Sequence, residues 1–563
     1  MASNKRPNVL IVLADDLGFS DVGCFGGEIQ TPHINRLADE GLRFTDFHTA
    51  SACSPTRAML LSGTDHHVAG IGSMAERMSP EMRSNPGYEG YLNDRVVSLP
   101  EALRDSGHYE TLMAGKWHLG LTRDRSPYAR GFDRSFALMG GCHNHYGFEP
   151  AYEDRNTIPR IAAVLSRMYQ RDDQAVSPAD LPAEFYSTDS FTEELLGYLR
   201  DRDARNETRP FFAYLPFSAP HWPLQAPPNV VDKYRGIYDD GPEVLRQKRL
   251  ASLKKMGLVP KDAVASPVVS KDEDGNDTKT WDQLAPEERQ VSARKMEVYA
   301  GMVDRIDYNI GRVMEYLEQK GELDDTIIMF FSDNGAEGAQ FEAWPLTAGG
   351  NMDEYVAKYH DNSIDNIGAR DSFVWYGSRW ASASTAPGLL YKMFTSEGGI
   401  RVPFVIRYPK LIREKGGISH AFCTVMDIMP TIMDLAGVPT PGRTYNGRQV
   451  EPMAGATWVP YLTGKSKEIH DADYVTGWEL FGRRAVRQGP WKAIYIPWPF
   501  GPEKWQLFNV LDDPGETNDL GEGQPEKLKE MMGLYEEYCR QNGVIEQSGS
   551  SRAQWSDEPT GSA

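Results

Sequence analysis

Buried apolar runs alternate with amphipathic stretches along most of the chain. Residues 8–14 (NVLIVLA) form a continuous β-branched and aliphatic run, the pattern of a strand buried on both faces, and Asp15 and Asp16 follow it directly. The run from Thr326 to Phe331 (TIIMFF) repeats that design and ends in Ser332-Asp333-Asn334-Gly335. A third strand is predicted from Phe211 to Phe217, followed by Ser218-Ala219-Pro220-His221-Trp222. Helical spacing occupies Ile34 to Glu40, Leu99 to Ser106, Ser190 to Asp201 and Arg294 to Lys320. This alternation predicts an α/β domain with a central, mostly parallel (mixed) sheet flanked by helices. Ligands in open α/β sheets sit beyond the carboxyl ends of the strands, so Asp15-Asp16 and Asp333-Asn334 are predicted to converge although more than 300 residues separate them.

The stretch 231–288 is charged and interrupted, the texture of a surface insertion. Within it, residues 271–277 resemble part of a calcium loop but lack the Asp spacing and terminal Glu of an EF-hand, so a solvated loop is predicted. A helix is predicted from Met426 to Gly437. Short alternating segments then follow at Tyr474 to Trp478, Arg484 to Arg487, Trp491 to Ile496 and Gln506 to Asn509, with a helix from Pro525 to Gln541. The expected organisation is a large α/β domain over 1–445, a smaller C-terminal α+β domain with an antiparallel sheet over 446–546, and a flexible polar tail over 547–563.

Composition removes several classes of function. The 563 residues carry 60 Lys and Arg against 80 Asp and Glu, a formal charge of −20, which opposes nucleic-acid binding. Hydrophobic residues at 40% supply a well-buried core, so disorder is not expected. The five cysteines show no CxxC spacing, so neither a disulfide framework nor a zinc ribbon is expected. The apolar run near the start is too short for a signal peptide, and no stretch reaches the roughly 20 apolar residues that cross a bilayer. A soluble protein is expected, without a membrane partner and cytoplasmic, with a periplasmic location left open.

The most informative segment is Cys53-Ser54-Pro55-Thr56-Arg57-Ala58-Met59-Leu60-Leu61-Ser62-Gly63. Pro55 and the helix formers after it place Cys53 at or just before a helix N-terminus, which attracts negative charge. On the residues alone, an activated or modified cysteine and an inert core thiol are equal readings.

C-x-P-x-R followed by a helix and Ser-Gly is the modification signature of the type I, formylglycine-dependent sulfatases, and the chain resembles that family along nearly its whole length, most closely the bacterial arylsulfatases. Also in family order are Asp15-Asp16, Gly115-Lys116-Trp117-His118-Leu119-Gly120, Ala219-Pro220-His221, Ser332-Asp333-Asn334-Gly335, and Lys392 before Gly398-Gly399-Ile400-Arg401-Val402-Pro403. Thr56 and Ser62 exchange one hydroxyl residue for another relative to many members. The resemblance implies an alkaline-phosphatase-like fold. It implies that a separate formylglycine-generating enzyme, a transient partner, oxidises Cys53 to 3-oxoalanine (formylglycine), whose hydrated diol attacks the sulfur of a small sulfate monoester. The second hydroxyl then expels inorganic sulfate from the covalent sulfo-enzyme by C–O cleavage.

Asp15, Asp16, Asp333 and Asn334 offer only oxygen ligands, which suit a hard divalent cation. By resemblance that cation is one Ca2+, also touched by position 53. Taken singly, each pair reads as a solvated turn. The resemblance further implies that Arg57 holds the formylglycine, that Lys116 and Lys392 bind sulfate oxygens, and that His118 is the base for the elimination. His221, with Lys392, would assist the departing alcohol, although packing beside Trp222 is the competing reading. His66-His67 and the pair His143, His145 have spacings seen in metal sites but are read as structural or pocket-lining, for want of a completing carboxylate or cysteine. Gly115 to Gly120 lacks the Lys-Ser/Thr of a phosphate loop. The expected activity is hydrolysis of sulfate monoesters, aryl sulfates first among them. The alternatives are a phosphonate monoester or phosphodiester hydrolase with the same nucleophile, and an inactive binder of sulfated ligands.

Overall fold

The computed structural model describes residues 6–546 apart from 80, 84, 150–167, 272–274 and 339–351. The acidic centre of the expected loop and the expected polar tail lie outside the described residues.

Ten strands of the described residues form one mixed sheet. Its middle is β1 (Asn8–Ala14), β2 (Glu110–Lys116), β3 (Phe211–Pro216), β4 (Thr326–Ser332) and β5 (Phe404–Arg407). In space β1 lies between β3 and β4, with β2 beyond β3 and β5 beyond β4. The pairings of β1 with β3 and β4, and of β2 with β3, are parallel, whereas β5 runs antiparallel to β4. Chain connections therefore leave β1 toward both sides, and such a reversal of strand order opens a crevice at the carboxyl ends.

Every residue of β1 is buried, and its side chains alternate between two apolar layers. Leu10, Val12 and Ala14 pack with Val298, Ile306 and Ile310 of a long helix, while Val9, Ile11 and Leu13 pack with Ala58, Leu60 and Leu61. Helices thus cover both faces, which is what a fully apolar strand requires. At about 1.5–3 kcal/mol for each buried aliphatic side chain, this central strand is a major source of stability.

The helices include α1 (Pro32–Glu40), α2 (Cys53–Ser62), α3 (Leu99–Asp105), α4 (Ser187–Ala204), α5 (Pro242–Met256) and α6 (Pro286–Gln319). Helix α6 begins eight residues before the stretch predicted as Arg294 to Lys320, because its first turn is polar and solvent-facing and only later positions carry the apolar stripe. Strand β2 was not predicted: ETLMAGK lacks the β-branched run that marked its neighbours, yet all seven residues are buried.

The segment read as a surface insertion is partly core. Arg249 on α5 is buried, with its Nε and Nη2 donating to Glu28 at 2.9 and 2.8 Å and its Nη1 to Asp21. Lys271 pairs with Asp277 at 2.6 Å across the described ends of the polar loop.

Four antiparallel strands, β6 (Val475–Leu480), β7 (Arg483–Gln488), β8 (Trp491–Tyr495) and β9 (Trp505–Asn509), form a second sheet in sequence order, and α7 (Pro525–Asn542) covers it. Val450 and Trp458, beyond the expected boundary at residue 445, are buried in the same cluster as Phe44 and Phe404. We propose that the C-terminal unit begins near Val475, the intervening polar and glycine-containing stretch having the look of a linker without being one. Among the described residues no helix is long and apolar enough to cross a membrane.

Candidate active site

Because β1 and β4 are parallel neighbours with Ala14 opposite Ser332, their exits lie side by side. Asp16 and Asp333, 317 positions apart, are joined by a 3.2 Å hydrogen bond from the Asp16 N–H to Asp333 Oδ1. Asn334 Nδ2 donates to Asp16 Oδ1 at 2.7 Å. Strand β2 ends in Lys116, whose Nζ donates to Asp15 Oδ2 at 2.6 Å. The turn after β3 brings His221 Nε2 to 3.5 Å from Asp16 Oδ2. All four carboxyl-end segments thus meet at one place, as the strand pattern predicts for β1 and β4.

Cys53 is the first residue of α2, and all ten residues of this helix are buried. Arg57, one turn on, is fully enclosed, donating to Asp333 Oδ2 from Nε and Nη2 at 3.0 and 2.7 Å and to the Lys116 carbonyl at 2.8 Å. Lys392 Nζ lies 2.8 Å from Asp16 Oδ1 and 2.9 Å from Glu337 Oε2. His118 sits between two groups: Nδ1 is 3.4 Å from Cys53 Sγ and Nε2 is 3.1 Å from Glu76 Oε1. Its φ of 59° and the 73° of Asp16 are left-handed backbone that non-glycine residues rarely adopt, the kind of strain that concentrates at functional sites.

The electrostatics follow from burial and these partners. Burial opposes a thiolate at position 53, but Lys116, Lys392 and His118 outweigh it and bring the Cys53 pKa down to about 7. Burial likewise opposes an imidazolium at His118, but Glu76 and Cys53 raise its pKa to about 9. Asp16 falls to about 2, because Lys392 and His221 overcome desolvation. Desolvation dominates at Asp15, raising it well above the usual carboxylate range despite Lys116. His221 is held well below its ordinary value by burial, and its Nδ1 lies 2.7 Å from the Trp222 carbonyl.

The donor set fits a divalent cation. Among the described residues Asp15 Oδ1 and Asn334 Oδ1 are buried acceptors without a hydrogen-bond partner, and ligating atoms of Asp15, Cys53 and Asp333 lie within 4.8 Å of one another. Buried unpaired oxygens are costly, and a hard cation is the partner such oxygens take. Asp15, Asp16, Asp333 and Asn334 could hold it beside position 53.

Sequence reasoning missed Glu76 and Glu337, which only their contacts single out. It also passed over Asp65, which does supply a carboxylate beside His66 and His67. That group is engaged internally, however: His67 Nδ1 is 2.8 Å from Asp65 Oδ1, Tyr538 Oη donates to Asp65 Oδ2 at 2.8 Å, and His66 Nδ1 is 2.8 Å from the Ile71 carbonyl. His143 contacts Tyr169 and Ser218, and His145 contacts Ser187 and the His221 carbonyl, so this pair braces the loop behind His221.

A mixed sheet with helices on both faces, delivering oxygen ligands and a helix-borne cysteine to one crevice, defines an alkaline-phosphatase-like hydrolase. The chain belongs to the sulfatase family, which it matches over residues 7–438. Residues 387–538 match the C-terminal part of N-sulphoglucosamine sulphohydrolase. An uncharacterized sulfatase of Schizosaccharomyces pombe is 49% identical over 547 residues, covering 97% of this chain and 95% of that protein. An arylsulfatase of Klebsiella aerogenes is 37% identical over 460 residues, covering 81% and 92%. The crystal structure of Ps i-CgsB with a neocarrahexaose superposes with a TM-score of 0.66 at 23% identity, covering 96% and 94% of the chains. The protein is a sulfuric ester hydrolase, and its family membership implies a divalent metal and a formylglycine.

Proposed function

We propose that this enzyme hydrolyses aryl sulfate monoesters to a phenol and inorganic sulfate, with formylglycine derived from Cys53 as nucleophile and Ca2+ in the oxygen-ligand site. The observation that carries this reading is the placement of Cys53 Sγ against His118 Nδ1, among buried cations and beside Asp15 and Asp333. When bound, the cation supplies Lewis acidity toward the sulfate and favours ionisation of the attacking hydroxyl. Position 53, oxidised by a maturation enzyme and hydrated, offers one hydroxyl to the sulfur and keeps a second whose ionisation expels sulfate.

His118 is within reach of that second hydroxyl, and Glu76 fixes its ring and stabilises the imidazolium formed as it takes the proton. Lys116 and Lys392 are placed to meet sulfate oxygens and charge developing in transfer, while Arg57 holds Asp333 and the turn of α2 that presents position 53. Lys392, charged and paired with Asp16, stabilises the departing phenolate, while His221, its Nδ1–H donating to the Trp222 carbonyl, turns Nε2 toward Asp16 and shapes that corner of the site.

The test is chemical. The natively matured protein is digested, its thiols are alkylated, and the peptide carrying residue 53 is probed with an aldehyde-reactive hydrazide, alongside turnover of 4-nitrophenyl sulfate. Hydrazide capture at residue 53 with turnover that Cys53→Ala abolishes is the expected result. A fully alkylated thiol in turnover-competent protein would overturn the nucleophile, and a thiol in inactive protein would favour a binder of sulfated ligands.

A further inference from the structure

The hairpin joining β6 to β7 turns through two residues, Phe481 and Gly482, with Leu480 paired to Arg483. Both turn residues have positive φ, 56° and 77°, the pattern of a type I′ turn whose first position favours Asn, Asp or Gly. Phenylalanine is a poor choice for that backbone, and nothing in the hairpin itself requires it. Its ring is not at the surface: only 8% of the residue is exposed, and it joins a buried cluster with Ala52, Cys53, Met74, Met393 and Leu480. Backbone strain that delivers a large aromatic side chain to a reactive position is an outlier of the kind that marks function.

The aim of the hairpin is fixed. Trp478 Nε1 donates to the Thr49 carbonyl at 2.9 Å, and Arg487 donates to both oxygens of Asp46 at 2.8 and 2.6 Å, so β6 and β7 are tied to the segment that runs into Cys53. Met393 comes to the same cluster from the other direction. It follows Lys392, has a φ of 76°, and its N–H donates to the Ser51 carbonyl at 2.7 Å. Position 53 therefore has two kinds of surroundings: the charged groups described above, suited to a sulfate, and an apolar collar of one phenyl ring, two thioethers and Leu480.

We propose that Phe481 is a specificity-determining residue, a platform that with Met74 and Met393 receives the aromatic leaving group of the ester. This inference rests on the aryl sulfate reading and deepens it. Flat, polarizable surfaces of this kind pair well with an aromatic ring. The apolar side chains of the collar offer no hydrogen-bond partner to the hydroxyls of a sugar, which would lose water without replacement. The guanidinium carbon of Arg77 lies 5.8 Å from the Phe481 ring centroid and holds the platform from the side of the turn that carries Met74.

The experiment separates the leaving-group side from the sulfate side. Matured full-length wild type, Phe481→Leu, Phe481→Ala and Phe481→Tyr are compared by kcat/KM for 4-nitrophenyl sulfate and by the Ki of inorganic sulfate as a competitive inhibitor. The platform predicts a fall in kcat/KM of about tenfold or more for Phe481→Ala, a smaller one for Phe481→Leu and near recovery in Phe481→Tyr, with the sulfate Ki unchanged throughout. A rise of the sulfate Ki in step with the loss of kcat/KM would show general packing and overturn the proposal, as would unchanged kcat/KM in all three variants. Failure of the matured wild type to turn over 4-nitrophenyl sulfate would overturn the aryl reading itself, and the platform with it.

Discussion

Glu76 Oε1 lies 3.1 Å from His118 Nε2, on the opposite side of the imidazole from Cys53 Sγ. Gly141 makes room for this ring, because a Cβ there would come within 2.9 Å of it. Glu76 thus both orients His118 and raises its proton affinity. Glu76→Gln removes the charge and keeps the size. Without the Glu76 charge the His118 pKa should fall, so that the neutral base is present at lower pH. Because His118 serves the elimination, after the phenol has left, the shift should appear in kcat: its ascending limb moves to lower pH by about a unit or more, with a lower plateau, in a pH series on an aryl sulfate.

Asp15 joins two facts: one oxygen accepts from Lys116, and the other is buried without a hydrogen-bond partner among the described residues. Asp15→Asn weakens a cation site while leaving shape nearly unchanged. Metal analysis should find about one Ca2+ per chain in wild type and markedly less in the variant, with activity down by about two orders of magnitude. Added Ca2+ should raise the wild-type Tm, by linkage, more than that of Asp15→Asn.

Lys492 is wholly buried between Glu397, at 2.7 Å, and Glu516, at 2.9 Å, and so pins β8 to the segment after Lys392. Lys492→Met leaves two enclosed carboxylates facing each other. Removing one partner of a buried ion group costs about 3–5 kcal/mol, which denaturant unfolding would register. Adding Glu397→Gln should recover part of that loss, because one buried charge is then gone.

His145 is buried, and desolvation lowers its pKa from 6.5 to about 4, outweighing the favourable contact of Nε2 with the His221 carbonyl. A depressed folded-state pKa gives stability that is fully present above the unfolded value and lost as pH falls through the folded one. The window is therefore pH 6.5 down to about 4, and the change across it is on the order of 3 kcal/mol. His145→Gln should lessen the slope of the stability curve over that range, measured as unfolding free energy at successive pH values.

Strands β1, β3 and β4 were legible in the sequence because a strand covered on both faces needs an unbroken apolar run, and such runs are conspicuous. Strand β2 was not, since Gly115 and Lys116 interrupt its apolar character, so Lys116 was found only through the motif around it. The antiparallel C-terminal strands and α7 showed in their alternation and helical spacing. Glu76, Glu337 and Phe481 had no local signature, because a glutamate in a short helical turn or a loop and a phenylalanine before a glycine look ordinary until their neighbours are known.

The sequence by itself determined the family, the α/β layering and the residues able to bear the chemistry, because strand burial and ligand chemistry are written in residue type and short-range order. Only the tertiary structure decided which of them meet. Parallel pairing of β1 with β4 sets Asp16 against Asp333, and the docking of a hairpin from the C-terminal sheet brings Phe481 into one apolar cluster with Cys53. Contacts across hundreds of residues depend on the packing of whole elements, and no local pattern encodes that.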